Sequence, residues 1–232
     1  MIECFLKATA TQYPQYGFRT LFGMLRNLGY RFNHKRVKRI YCKLKLNLKR
    51  KPKKRLAPRT AKTLHVPTKP NDTWSLDYMS DALSFGRRFR TANVIDDHRR
   101  ECLGIKINFS LPSTSITDWL DQIADERGFP KVIRVDNGPE NISSHLKNWA
   151  KTKGIDMLYI QPGKPAQNAY IERFNRTYRE AILDQYVFDN LKEVRILTEE
   201  WLEHYNHERP HQALGMQPPI LKRAVKRENS TL

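Results

Sequence analysis

Apolar positions recur along this chain with a period that changes twice. Phe18, Leu21, Phe22, Leu25 and Leu28 return at helical spacing until Gly29 stops the run. Asn33 then stands where an N-cap belongs, ahead of a second stripe formed by Val37, Ile40, Tyr41 and Leu44. Two short helices with a tight connection are predicted. Residues 47–70, NLKRKPKKRLAPRTAKTLHVPTKP, have little periodicity and read as an extended linker. From Trp74 the period shortens. WSLDYMSDAL, RRFRTANVIDD and CLGIKINFS read as three successive strands. A helix from Ser113 to Arg127 carries Ile116, Trp119, Leu120 and Ile123 and ends at Gly128. KVIRVD is a short, nearly apolar strand of the kind buried in a mixed sheet. A helix near 143–153, the strand DMLYIQP and two longer helices near 166–184 and 190–207 complete the pattern. Three strands in a row followed by alternating helix and strand predict an α/β fold, a mixed sheet with helices on its faces.

The domain division follows: a helix-turn-helix-like region at 1–46, a basic linker at 47–70, an α/β core at 71–220 and a tail at 221–232. Charge sharpens this picture. Residues 1–71 hold 19 Lys and Arg against one acid, Glu3, whereas 72–232 hold 23 of each sign, so the whole net charge of +18 lies in the front segment. A basic arm joined to a neutral domain is the footprint of a polyanion binder. Lys35, Arg36, Lys38 and Arg39 crowd the second predicted helix and are its candidate DNA contacts. A helical hairpin that only packs on its neighbour is the plainer alternative. Cys4, Cys42 and Cys102 are odd in number and scattered, forming neither a disulfide framework nor a zinc pattern. With no apolar run near the roughly 18 residues that span a bilayer, and no signal-peptide pattern, a cytoplasmic protein is expected.

Against this basic background three acids stand apart: Asp77 in WSLDYMSDAL, Asp136 in IRVDNGPEN and Glu172 in PGKPAQNAYIERFNRTYRE. Asp77 falls inside the first strand and Asp136 at the carboxyl end of the fourth, where open α/β sheets form their sites. Asn137-Gly138-Pro139 turns the chain away from Asp136. Glu172 falls on a helix whose buried stripe is Ile171, Phe174, Tyr178 and Ile182. Asn168, Glu172, Asn175, Arg176 and Arg179 share its polar face. Isolated carboxylates converging on two divalent cations ~3.5–4 Å apart are what two-metal phosphodiester chemistry needs, and hard oxygen ligands suit Mg²⁺. Asp81, Asp96 and Asp97 also follow apolar strand positions and rival Asp77 on spacing alone.

Taken together, these segments resemble the second-frame transposases of the IS3 family of bacterial insertion sequences, over nearly the whole chain. YPQYGFRTLFGMLRNLGYRFNHKRVKRIY is similar to the family's helix-turn-helix region. WSLDYMSDAL, VIRVDNGPE and QPGKPAQNAYIERFNRTYRE resemble its three catalytic blocks, and YNHERPHQALGMQPP resembles the stretch that closes the core. The resemblance implies an RNase H-like fold of the retroviral-integrase type and a DDE triad of Asp77, Asp136 and Glu172. It also implies two Mg²⁺ or Mn²⁺ ions and strand cleavage at element ends followed by strand transfer. Lys164, Asn168, Arg176 and Arg179 in the third block are the expected DNA contacts of the core. The partners implied are double-stranded DNA, further copies of this chain and a protein from an upstream reading frame, with a bacterial, nucleoid-associated location. Asn141 departs from the pattern, which has an aromatic residue there; looser packing beside Asp136 is the expected consequence. Two other readings are a DNA-binding protein without catalysis and a general nuclease of RNase H-like fold. The basic helical pair and Arg179 disfavour the nuclease.

Overall fold

The computed structural model describes residues 1–48, 67–138, 140–161 and 165–221. The expected linker at 47–70 falls mostly outside these residues, as do Lys164 and nearly all of the tail. The front segment is a three-helix unit of α1 (Ile2–Gln12), α2 (Phe18–Asn27) and α3 (His34–Lys43). The two expected helices are α2 and α3, and Asn33 caps α3 by accepting a bond from the Lys35 N–H at 2.8 Å. The pattern did not reveal α1. Its sequence, IECFLKATATQ, offers a narrow apolar stripe, and what fixes it is tertiary packing: Ile2 and Leu6 are buried with Leu21, Leu25, Val37 and Tyr41 in one small core.

The remaining elements are β1 (Thr73–Ala82), β2 (Arg88–Asp96), β3 (Glu101–Asn108), α4 (Ser113–Arg127), β4 (Val132–Val135), α5 (Ser144–Thr152), β5 (Asp156–Tyr159), α6 (Ala169–Tyr178) and α7 (Leu191–His207). They build a five-stranded sheet in the order β3-β2-β1-β4-β5. β1, β2 and β3 pair antiparallel, while β4 pairs parallel with both β1 and β5. α4 is the crossover that makes the parallel pairing possible.

Alternation along the strands decides which side chains meet which helices. Trp74 and Leu76 of β1, Val94 of β2 and Ile133 and Val135 of β4 face a core shared with Leu120 of α4 and Leu146 of α5. On the other face, Phe89, Ile95 and Ile107 meet Ile171, Phe174 and Tyr178 of α6 and Trp201 and Tyr205 of α7. The stripe expected on α6 is therefore the buried one. The helix expected over 166–184 is divided: a 3₁₀ turn at Pro165–Asn168 leads into α6, and a π turn over Arg179–Leu183 follows it. The front unit docks on this side of the core. Tyr13 and Tyr16 stack against His204 of α7, their hydroxyls 3.1 and 2.9 Å from its two ring nitrogens. Gly23 of α2 permits the close approach, because a Cβ there would lie 2.7 Å from Met216 Cε and 3.0 Å from Pro210 Cβ.

Candidate active site

The parallel pairing of β1 with β4 brings the first two acids to one level. Thr73 faces Val132, Trp74 faces Ile133 and Ser75 faces Arg134. Extending that register two rungs past Ser75 puts Asp77 beside Asp136, on neighbouring strands ~4.8 Å apart and on the face that α6 covers. Asp77 lies opposite Asn93 of β2.

Two of the three carboxylates are held by named donors. Asp77 Oδ1 accepts from the Tyr78 N–H at 2.8 Å, and its Oδ2 accepts from Asn175 Nδ2 of α6 at 2.7 Å. Asn175 Oδ1 in turn accepts from Asn93 Nδ2 at 2.7 Å, so a buried amide pair ties the Glu172 helix to the two central strands. Asp136 Oδ1 accepts from the Gly138 N–H at 2.9 Å and from Asn141 Nδ2 at 2.7 Å. A Cβ at position 138 would sit 2.9 Å from Asp136 Oδ1, so a side chain there would push the carboxylate from its seat. Glu172 is exposed on the first turn of α6.

Burial pushes the Asp77 carboxyl up to about 6, and the negative charges of Asp136 and Glu172 push the same way, against the bonds from Tyr78 and Asn175. The three acids therefore share one electrostatic field. Their side chains are not gathered: among the described residues no group of three or more Asp, Glu, His and Cys is positioned to hold a metal ion as it stands. The donor set itself, three hard carboxylates of which Asp77 and Asp136 have ordered supports, fits a divalent cation.

The rival acids have other occupations. Asp97, fully buried beneath the site, accepts from Ser75 Oγ at 2.7 Å and from Arg134 at 2.5 Å. Burial raises its carboxyl to about 6 although Arg134 opposes that shift. Asp96 accepts from the backbone N–H groups of Asn71 and His98. Asp81 pairs with Arg179 at 3.3 Å.

The expected DNA contacts divide. Lys35, Arg36 and Arg39 are exposed on α3. Lys38 is half-buried, its ammonium 4.6 Å from the Phe18 ring centroid and 5.0 Å from that of Tyr41. Arg176 is exposed beside Glu172, and Lys164 lies outside the described residues. One expectation needs correction. Asn168 is only 2% exposed, because the 3₁₀ turn at the start of α6 folds it inward, so it cannot meet DNA there. Arg179, partly exposed, reaches back to the Ser80 carbonyl at 3.0 Å and to Asp81, anchoring the π turn to β1.

Asn141 corrects a second expectation, since it is fully buried and grips Asp136 rather than loosening its surroundings. The supporting residues Asn93, Asn141 and Asn175 were not assigned from sequence. Asn175, one turn beyond Glu172, was legible as polar but not as buried.

Comparison with known proteins places this geometry. An integrase core domain matches residues 67–165, a second integrase core model matches 153–219, and an HTH-like domain matches 3–55. A 39.2 kDa protein of insertion element IS476 from Xanthomonas euvesicatoria is 38% identical over 212 residues, covering 90% of this chain and 61% of that protein. The chain thus spans about three-fifths of that relative's length. A 31.7 kDa protein of insertion element IS407 from Burkholderia multivorans is 37% identical over 205 residues, covering 88% of this chain and 74% of that protein.

Among solved structures, the simian T-cell lymphotropic virus intasome matches with a TM-score of 0.60 at 18% identity, over 82% of this chain and 66% of that one. The HTLV-2 integrase catalytic core in its trimeric, magnesium-bound form matches with a TM-score of 0.50 at 18% identity, over 64% of this chain and 93% of that one. Both share the fold, an RNase H-like mixed sheet with helices on its faces. On the matched sequence, the chain belongs to the insertion-element transposases built on an integrase core.

Proposed function

We propose that this chain is a DNA transposase that cuts strands at the ends of an insertion element and joins the freed 3′-hydroxyl to target DNA. Asp77, Asp136 and Glu172 are its acidic triad. The observation that carries the reading is the parallel register that sets Asp77 of β1 level with Asp136 just past β4, with Glu172 of α6 acting on Asp77 through its charge. These three carboxylates would hold two Mg²⁺ or Mn²⁺ ions. When bound, such ions neutralise charge on a phosphodiester and acidify the attacking hydroxyl.

The chain's own residues do the remaining work. Asn141 and the Gly138 N–H fix one oxygen of Asp136, leaving its other oxygen for a ligand. Asn175 fixes Oδ2 of Asp77 and links that acid to the Glu172 helix. Exposed Arg176, one turn beyond Glu172, is suited to a phosphate oxygen. Exposed Lys35, Arg36 and Arg39 on α3 supply long-range attraction for duplex DNA. The HTLV-2 core is described with magnesium and its viral relative as an intasome, which favours the same ion and a multimeric assembly here. An upstream-frame partner and a nucleoid location belong to the same reading.

Duplexes carrying the inverted repeats that flank this gene test it. With Mg²⁺ the protein should nick them at the repeat boundary and join them to a second duplex. Asp136→Asn, which removes charge but little volume, should abolish both steps while DNA affinity stays within about twofold, well under ~1 kcal/mol. Equal cleavage by the variant would overturn the triad. Binding without any cleavage by the wild type would leave a DNA-binding protein that is not a catalyst.

A further inference from the structure

Where the front unit docks on the core, a cavity of about 380 Å³ collects arginines from four separate segments. Arg19 comes from α2, Arg100 from the β2–β3 turn, Arg173 from α6 and Arg209 from the segment after α7. No Asp or Glu lines it among the described residues, and none of the four arginines makes a carboxylate ion pair among them. Residues 72–232 carry equal numbers of acids and bases, so this is a segregated positive site and not a sample of a basic surface.

Two of the arginines, Arg100 and Arg209, are built in. Arg100 lies flat over the Tyr170 ring, 3.4 Å from its centroid. Arg209 sits between the Tyr16 and Tyr205 rings at 5.7 and 5.6 Å, and its buried Nε has no hydrogen-bond partner. Its Nη1 is 3.3 Å from His211 Nε2. Burial holds His211 down at about 3, aided by Arg209, Arg100 and Arg173. The ring is therefore neutral at physiological pH and presents an acceptor to Arg209. Four cations around one small volume repel one another, more strongly where the surroundings exclude water, and an anion placed among them reverses the sign of that energy.

We infer that this cavity is a phosphodiester-binding site, in which a phosphate of bound duplex DNA is gripped jointly by Arg19 of the helical unit and by Arg173 and Arg209 of the core. Arginine forks suit phosphate oxygens in bidentate fashion. The site also has a fitting address. Arg173 and Thr177 line the cavity from α6, while Glu172 and Arg176 lie one residue round the same helix and face solvent. A strand held here therefore passes beside the acidic site. Because Arg19 and the other three arginines belong to different units, occupation also clamps the helical unit onto the core. This inference rests on DNA being the substrate, as proposed above.

The test compares the full-length protein with the double variant Arg19→Gln/Arg173→Gln. A control, Lys147→Gln/Lys151→Gln, alters α5 on the opposite face of the sheet. Anisotropy of a labelled linear duplex is read from about 0.05 to about 0.2 M salt, where each phosphate contact contributes ~0.9 to the slope of log affinity against log salt. The cavity variant should lose up to about 2 from that slope and bind at least ~10-fold more weakly, with a melting temperature without DNA no lower than that of wild type. The control should keep its slope within about 0.5 of wild type.

A slope unchanged in the cavity variant, or lowered equally in the control, overturns the site. Stabilisation of the wild type by inorganic pyrophosphate as great as by duplex, and lost in the cavity variant, would assign the site to a small phosphate and also overturn the DNA assignment. Cleavage separates this from the broader reading. A protein that binds with the expected slopes but never cuts refutes the transposase reading and leaves the site standing. One that cuts normally while the cavity variant binds like wild type refutes the site alone.

Discussion

Replacing Asn175 with alanine removes the amide that joins α6 to the two central strands. Two bonds go: Nδ2 to Asp77 Oδ2 and Asn93 Nδ2 to Oδ1, each 2.7 Å. A hydrogen bond to a charged acceptor contributes ~1.5–3 kcal/mol, and a buried donor left without a partner costs ~1–3 kcal/mol. Asn93 cannot turn elsewhere, since it is fully buried and its own Oδ1 already lacks a partner. Alanine returns roughly 0.5 kcal/mol of helix propensity. The two losses overlap, so a net destabilisation of ~2–4 kcal/mol is expected near neutral pH.

The loss should also depend on pH. Asp77 titrates at about 6 in the folded state against 3.8 ordinarily, so its charged form is disfavoured on folding. Stability from this group is full below its ordinary value and falls as pH rises through about 6. The Asn175 bond opposes that fall, and without it the carboxyl moves further up. The difference between wild type and Asn175→Ala should therefore be largest near pH 8 and shrink by ~1 kcal/mol or more near pH 4, where Asp77 is neutral in both. Urea unfolding in chelator at the two pH values measures this directly. A difference below about 0.5 kcal/mol, or one equal at both ends, would refute the claim that Asn175 supports an ionised Asp77.

Three further outcomes are expected. Arg134→Met strands the fully buried Asp97 and should cost ~3–5 kcal/mol above pH 6, much less in acid where Asp97 is protonated, and Arg134→Met/Asp97→Leu should recover most of it on urea unfolding. Mg²⁺ should raise the melting temperature more at pH 8 than at pH 5, because a proton on Asp77 competes with the ion; an equal rise at both would argue against Asp77 as a ligand. Arg179→Ala should lower stability by ~1 kcal/mol or less, its partners being partly exposed, and a strand-transfer loss of tenfold or more at retained stability would show a DNA role beyond anchoring β1.

The order of elements, the α/β class and the span of α4 are written in periodicity and punctuation, which are local properties. Helical spacing on α6 marks Ile171, Phe174 and Tyr178 as its buried stripe because a 3.6-residue period needs no knowledge of what covers it. The resemblance singles out Asp77, Asp136 and Glu172, but spacing alone does not separate Asp77 from Asp81, Asp96 and Asp97. What surrounds each acid is tertiary: β4 docks parallel to β1 in a register that brings Asp77 level with Asp136, and the same register buries Asp97 against Arg134.

Helix α1 was hidden for a related reason, since a weak stripe becomes a helix only when Leu21, Val37 and Tyr41 cover it. Asn175, Asn93 and Asn141 are polar residues whose burial depends on what lies opposite, and no pattern along the chain reports that. The arginines of the docking cavity are as far apart as positions 19 and 209, so their convergence belongs to the packing of two units. Sequence determined which residues could carry charge and which faces had to be buried. The fold decided which charges would meet, because side-chain electrostatics acts over a few ångströms of space and is indifferent to distance along the chain.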